Sequence, residues 1–165
     1  MQTEKIQVHG RSFVRYINES ELQKEIKRMA SEINQDYAGK RPLFIPILNG
    51  SFMFAADLFK ELNIETEVCF IKLASYHGMH SSGSVITSIG LDKNIAGRDI
   101  VVLEDIVDTG KTLHDFLPQL KDMQPASVKI ATLLHKPEAL KHPLQLDYID
   151  FSVPNKFLQI GRAHV

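Results

Sequence analysis

Cysteine occurs once in the 165 residues, as Cys69. One thiol cannot close an internal disulfide, so a reduced, cytoplasmic protein is expected and a disulfide-stapled scaffold is excluded. An excess of charge of one sign is missing too: 19 basic residues face 20 acidic ones, for a net charge of −1. That leaves no electrostatic footprint for nucleic acid and no polybasic patch for a membrane surface. No apolar run approaches the ~20 residues that cross a bilayer. The first residues, MQTEKIQVHG, are too polar for a secretory signal. No internal repeat and no low-complexity linker interrupts the chain. What is present is ordinary: 44% hydrophobic and 24% charged residues, in a length that suits one α/β domain with a sizeable core. Residues 1–165 are therefore read as a single domain.

The segment INESELQKEIKRMASEINQDYAGK places Leu22, Ile26, Met29, Ala30, Ile33 and Tyr37 at helical spacing. Ser20 and Gln23 predict a capping box, and Gly39 a stop. LFIPIL reads as a short buried strand, with Pro46 awkward in a central antiparallel ladder. FMFAADLFKEL is helical and ETEVCFIKLA a strand. SYHGMHSSGS is a polar loop, and VITSIG one more strand. DIVVLE is an apolar buried strand, and TGKTLHDFLPQLKDM opens as a helix in which Pro118 should cost about 3 kcal/mol or force a kink. SVKIATLL and YIDFSV complete the strands. Such alternation predicts an α/β fold with a mostly parallel twisted sheet flanked by helices. Ligands then sit at the carboxyl ends of strands, in the loops after Leu48, Ala74, Leu103 and Leu134.

One of those loops is unusual. Residues 101–113 read VVLEDIVDTGKTL. A greasy strand ends in Glu104 and Asp105, with Asp108, Thr109, Gly110, Lys111 and Thr112 following. The end resembles a Walker A loop, but that motif needs a glycine where this chain has Asp105, so the P-loop reading fails. What survives is a strand-to-helix loop with orphan amides and a helix N-terminus, both suited to an anion. Gly110 permits close backbone approach, and Thr109 and Thr112 add hydroxyls. The loop can hold a phosphomonoester. Carboxylates repel phosphate, so the acids need other work: accepting hydrogen bonds from a cis-diol such as ribose, or holding Mg²⁺. A sugar phosphate lying between them satisfies both halves. Any one acid alone has an ordinary explanation, and Asp108 could simply be an N-cap.

The motif VVLEDIVDTGKTL resembles the phosphoribosyl-pyrophosphate motif of the type I phosphoribosyltransferases. ILNGSFMFAADL, LASYHG, KIATLLHKPE and DFSVPNKF extend the likeness, in order, toward the bacterial hypoxanthine (hypoxanthine-guanine) enzymes. The resemblance implies the type I fold with a small hood. It implies a purine-salvage glycosyltransferase that joins phosphoribosyl pyrophosphate to hypoxanthine, and to guanine, giving IMP or GMP and pyrophosphate. Glu104 and Asp105 would meet the ribose hydroxyls and Mg²⁺. Asp108 would be the acid/base group at purine N7, and Thr109, Gly110, Lys111 and Thr112 would grip the 5′-phosphate. Leu48, Asn49 and Gly50 would form the pyrophosphate loop, where the family often has a cis peptide and often has Lys in place of Asn49. Ser75 and Tyr76 would belong to a closing lid. Lys136 would donate to purine O6, Phe157 would stack on the ring, and Leu158 would offer its backbone to the base. A homodimer or homotetramer would be usual.

Other residues carry less. A lone loop lysine such as Lys136 is usually solvated, and a lone Phe157 is more often core. His77 and His80 lack a third ligand and read as an exposed lid. His114 reads as structural, and Cys69 as an inert buried thiol. Two alternatives stand beside the salvage reading: transfer to another base (xanthine or a pyrimidine), and a non-catalytic regulator that senses phosphoribosyl pyrophosphate.

The end of the chain departs from the family. After Leu158 it reads QIGRAHV. The codons ATC GGA AGA GCA CAC GTC encode its last six residues and spell a common sequencing-adapter string, whose leading AG completes a CAG codon for Gln159. The expectation is that residues 159–165 are not native and that the natural protein continues beyond Leu158, so the hood is incomplete. The resemblance implies that the missing part carries a further metal-binding aspartate and a pyrophosphate-binding arginine. The fragment would then turn over poorly. The nucleotide sequence tests this.

Overall fold

Asn18, not Ser20, caps the first long helix. Its Oδ1 accepts the Glu21 amide at 2.8 Å and the Ser20 hydroxyl at 2.7 Å. Gln23 does not complete a capping box; its side chain reaches Asp57 instead. Asparagine at a cap two residues earlier satisfies a first-turn amide in the same way. This computed structural model describes residues 5–8, 10–75, 85–89, 91 and 94–158. The lid residue Tyr76, with His77 and His80, lies outside them, as do residues 159–165.

A hairpin of β1 (Lys5–Val8) and β2 (Arg11–Val14) precedes helix α1 (Glu19–Asp36). Then come β3 (Leu43–Leu48), α2 (Phe52–Glu61), β4 (Glu67–Val68), β5 (Ile71–Ser75) and β6 (Val85–Ile89). β7 (Asp99–Val107), α3 (Lys111–Asp122), β8 (Ser127–His135), a 3-10 turn (Pro137–Ala139) and β9 (Tyr148–Ser152) complete the order. The main sheet runs β6-β5-β3-β7-β8-β9, with β4 also against β3. Every pairing in it is parallel except β5 with β6. The mostly parallel α/β sheet is as expected.

The two faces follow from alternation along the strands. Phe44, Val101 and Leu103 face Ile26, Met29 and Ile33 of α1 and Phe54 and Leu58 of α2. Leu43, Ile45, Ile47 and Val102 face Leu113, Phe116 and Leu120 of α3. Each such fully buried side chain stabilises the fold by about 2 kcal/mol.

Three local expectations change. The strand expected over ETEVCFIKLA is two, β4 and β5, broken at Cys69 and Phe70. The break matches Pro46. The Phe44 carbonyl accepts from Cys69 N on that edge. Pro46, two residues on, presents the same edge without an N–H, where no ladder partner stands. The strand expected as DIVVLE runs on to Val107, so Asp105 joins Glu104 within it. Pro118 sits inside α3, which continues to Asp122. It lies on the exposed face, where the His114 carbonyl it leaves unbonded can face water.

Parallel order is what assembles the site. It brings the carboxyl ends of β3, β5, β7 and β8 to one edge.

Candidate active site

At that edge lies a cleft of about 220 Å³. Leu48 and Gly50 line it from the end of β3 and the turn after it, Leu73 from β5, Glu104, Ile106 and Val107 from β7, and Asp108 to Leu113 from the loop and first turn of α3. Of the residues expected in the site, Leu48, Gly50, Glu104 and Asp108 through Thr112 are therefore brought together. Asn49, Asp105, Lys136, Phe157 and Leu158 do not line this cleft.

The loop after Val107 has the backbone geometry of an anion nest. Gly110 caps α3 in the left-handed region, with φ +77°. The first helical hydrogen bond is His114 N to Gly110 O, so the amides of Lys111, Thr112 and Leu113 precede it. Among the described residues, Lys111 N alone of these has an acceptor, the Thr109 hydroxyl at a long 3.4 Å. The dipole of α3 adds positive potential at the same point. The Lys111 ammonium turns back to Asp115 at 2.7 Å, so Lys111 offers the nest its amide.

The acids stand on the other side. Glu104 ends up between strands, and burial, with Asp105 beside it, holds its carboxyl well above the usual range. Asp105 lies against Gly50: a Cβ on Gly50 would stand 2.6 Å from each carboxylate oxygen of Asp105. The Leu48–Asn49 peptide that leads into this contact is cis. Ser51 closes the turn, its hydroxyl donating to the Ile47 carbonyl at 2.7 Å. Asn49 itself is exposed.

Lys136 is not a solvated loop lysine. It is buried, and its ammonium lies 3.0 Å from Asp108 Oδ2, while half of the Asp108 side chain remains exposed. Adjacent parallel strands make the pair. Val107 is in register with His135, and Lys136 N donates to the Val107 carbonyl at 2.9 Å. A buried ammonium thus stands directly behind a carboxylate that lines the cleft, a donor and an acceptor side by side. A planar heterocycle with an N–H next to a carbonyl matches that spacing.

Phe157 is 65% exposed, its ring 5.9 Å from that of Phe13 on the β2 hairpin. Leu158 packs against the α1–α2 core. Ser75 ends β5. His114, read as structural, stacks at 4.8 Å on His142. The sequence reading missed the segment Leu140 to Leu144, which backs the nest: Lys141 N and His142 N both donate to the Thr109 carbonyl. No local signal marks it, since the contact spans the whole of α3 and β8.

The sequence profile described as phosphoribosyl transferase domain matches residues 16–161. The hypoxanthine-guanine phosphoribosyltransferase of Streptococcus pneumoniae is 38% identical over 143 residues, covering 86% of this chain and 79% of its own. A solved hypoxanthine-guanine phosphoribosyltransferase of Bacillus anthracis superposes with a TM-score of 0.80 at 36% identity, covering 86% of this chain and 84% of that one. The hypoxanthine phosphoribosyl transferase of Trypanosoma cruzi superposes with a TM-score of 0.79 at 35% identity, covering 86% and 78%. That structure concerns the role of the C-terminal region in its oligomeric state and enzymatic activity.

Proposed function

The chain belongs to the phosphoribosyl transferase domain family, and from that premise we infer that it is a purine-salvage transferase acting as one catalytic domain. It moves the 5-phosphoribosyl group from phosphoribosyl pyrophosphate to hypoxanthine, and to guanine, releasing pyrophosphate. The observation that carries the reading is the 3.0 Å pair of Asp108 and Lys136 standing beside an open anion nest.

The roles follow from position. The 5′-phosphate takes the amides after Thr109, with the hydroxyls of Thr109 and Thr112. The ribose diol faces Glu104 and Asp105. Its C1 then lies near Asp108. Purine N9 forms a bond to C1 as the bond from C1 to pyrophosphate breaks. The N7 proton passes to Asp108, which is placed as general base. Lys136 donates to O6. Phe157, exposed beside the β1–β2 hairpin, supplies a ring face for the base, and the Leu158 backbone borders its edge. Leu48, Asn49 and Gly50 hold the pyrophosphate. With Asn49 neutral, that loop relies on backbone donors and on metal. Ser75 and Tyr76 close over the site and exclude water.

Mg²⁺ suits the donor set. Two adjacent carboxyls, one held high by burial and its neighbour, gain from a divalent cation. Among the described residues no three His, Cys, Asp or Glu converge on a metal position. Mg²⁺ needs only one or two carboxylates and completes its shell with substrate oxygens. Glu104 and Asp105 would hold it, directly or through water, and it would neutralise charge on the leaving pyrophosphate.

A cytoplasmic location fits the single buried thiol and the absence, among the described residues, of a helix long and apolar enough to cross a membrane. A homodimer or homotetramer fits the accessible rings of Phe52 and Phe70.

The test is direct. The protein is incubated with phosphoribosyl pyrophosphate, Mg²⁺ and each of hypoxanthine, guanine, xanthine and uracil, and nucleotide and pyrophosphate are followed. IMP and GMP formation is expected. Turnover of xanthine or uracil alone, or ligand binding without turnover of any base, overturns the reading.

A further inference from the structure

The anion nest does not hold its own shape. The Thr109 carbonyl accepts two amides from elsewhere in the chain, Lys141 N at 3.0 Å and His142 N at 3.1 Å. Gly110 leans on the same segment. A Cβ there would stand 2.9 Å from Leu140 Cδ1, 2.9 Å from Leu144 Cδ1 and 3.0 Å from the His142 carbonyl oxygen. Leu140 and Leu144 in turn pack against the α3-side core. The His142 ring stacks 4.8 Å from that of His114, whose amide donates to the Gly110 carbonyl. The segment therefore meets the loop through backbone, side chain and helix at once.

We propose that Leu140 to Leu144 is a positioning brace for the phosphate-binding loop, with Leu140 and Leu144 as the wedge that fixes Gly110. The proposal rests on the transferase reading for the identity of the anion, a sugar 5-phosphate. Several amides converge on one phosphate only if Thr109 and Gly110 keep a single conformation. A glycine at positive φ is free to leave it. Two donors on the Thr109 carbonyl restrain the peptide on one side, and two leucine methyls fill the space on the other. A loop ordered before the ligand arrives loses little entropy on binding. The wedge side chains do not line the cleft, so they position and do not catalyse.

Ribose 5-phosphate binding by calorimetry and steady-state kinetics with hypoxanthine test this. Leu144→Ala should weaken ribose 5-phosphate and raise KM for phosphoribosyl pyrophosphate by about fivefold, with kcat and KM for hypoxanthine within about twofold. Leu144→Met, which conserves volume, should restore most of the affinity. Leu146→Ala is the control: Leu146 packs against the same core cluster but is not among the atoms nearest Gly110, and both parameters should hold. Should Leu144→Ala fail to fold, Leu144→Val makes the same comparison. The brace is overturned if a folded Leu144 variant binds ribose 5-phosphate as the wild type does, if Leu146→Ala weakens it equally, or if the wild type does not bind it. Binding that depends on Leu144 without turnover of any base upholds the brace and overturns the transferase reading.

Discussion

Gly50 and Asp105 meet so closely that no side chain fits between them: a Cβ on Gly50 would stand 2.6 Å from both carboxylate oxygens of Asp105. The contact couples the turn after β3 to the acidic end of β7. Gly50→Ala should therefore push the Asp105 carboxylate out of the site. Loss of kcat/KM for phosphoribosyl pyrophosphate by about tenfold, roughly 1.4 kcal/mol, is expected. The variant should also need more Mg²⁺ for half-maximal rate. An unchanged Mg²⁺ requirement would show that Asp105 holds no metal.

Asp108→Asn keeps the shape of the site and removes the proposed proton acceptor. General bases of this kind contribute about 10²–10⁴ in rate, so kcat should fall by at least about 10². IMP affinity should stay within a few fold, read by calorimetry. Full turnover would mean that another group takes the N7 proton.

Lys136→Met removes a buried ammonium and leaves Asp108 half exposed to water. KM for hypoxanthine should rise by about tenfold or more through the lost donor at O6. Binding of ribose 5-phosphate, which carries no base, should hold. Thermal stability should change little, because the Asp108 carboxylate left unpaired is half exposed and stays solvated, unlike a fully buried orphan charge. Equal loss of base and sugar-phosphate binding would argue against a base-specific role.

Asp150 predicts a pH signature far from the cleft. Its side chain is inaccessible, its Oδ2 has no hydrogen-bond partner among the described residues, and Arg28 reaches the other oxygen at 3.4 Å. Burial raises its pKa from 3.8 to about 7, against the opposing pull of Arg28. The folded state therefore binds more protons than the unfolded state between those values, and stability falls as pH rises through them. Asp150→Asn should remove that loss, by on the order of a few kcal/mol at most. Melting temperatures at pH 4.5, 6, 7 and 8 would show the variant pulling ahead of the wild type up to about pH 7 and then running parallel. A gap that is the same at pH 4.5 and pH 8 would refute the shift.

Much of this was legible in order of residues. Helical spacing marked α1, and apolar runs marked β3, β7 and β8, because both periodicities are local. The stretch from Glu104 to Thr112 announced a carboxylate site and an anion site together, since strand end, glycine and first helical turn are neighbours in the chain. Boundaries were less legible. Asn18 and Ser20 are both good caps, and only side-chain geometry chose Asn18. The strand from Glu67 looked continuous because nothing within it reveals that Pro46 lies opposite.

The amino-acid sequence by itself determined the alternating α/β pattern, the apolar faces, and a loop chemically suited to a sugar phosphate. These depend on backbone sterics, side-chain period and hydrogen-bonding type, all set within a few residues. The tertiary structure alone decided that Lys136 would be buried against Asp108, that Gly50 would give way to Asp105, and that Leu140 and Leu144 would wedge Gly110. Each of those contacts joins residues 28 or more positions apart, as Lys136 and Asp108 are. They exist because β3, β7 and β8 lie side by side, and strand order is a property of the packed sheet that no single segment encodes.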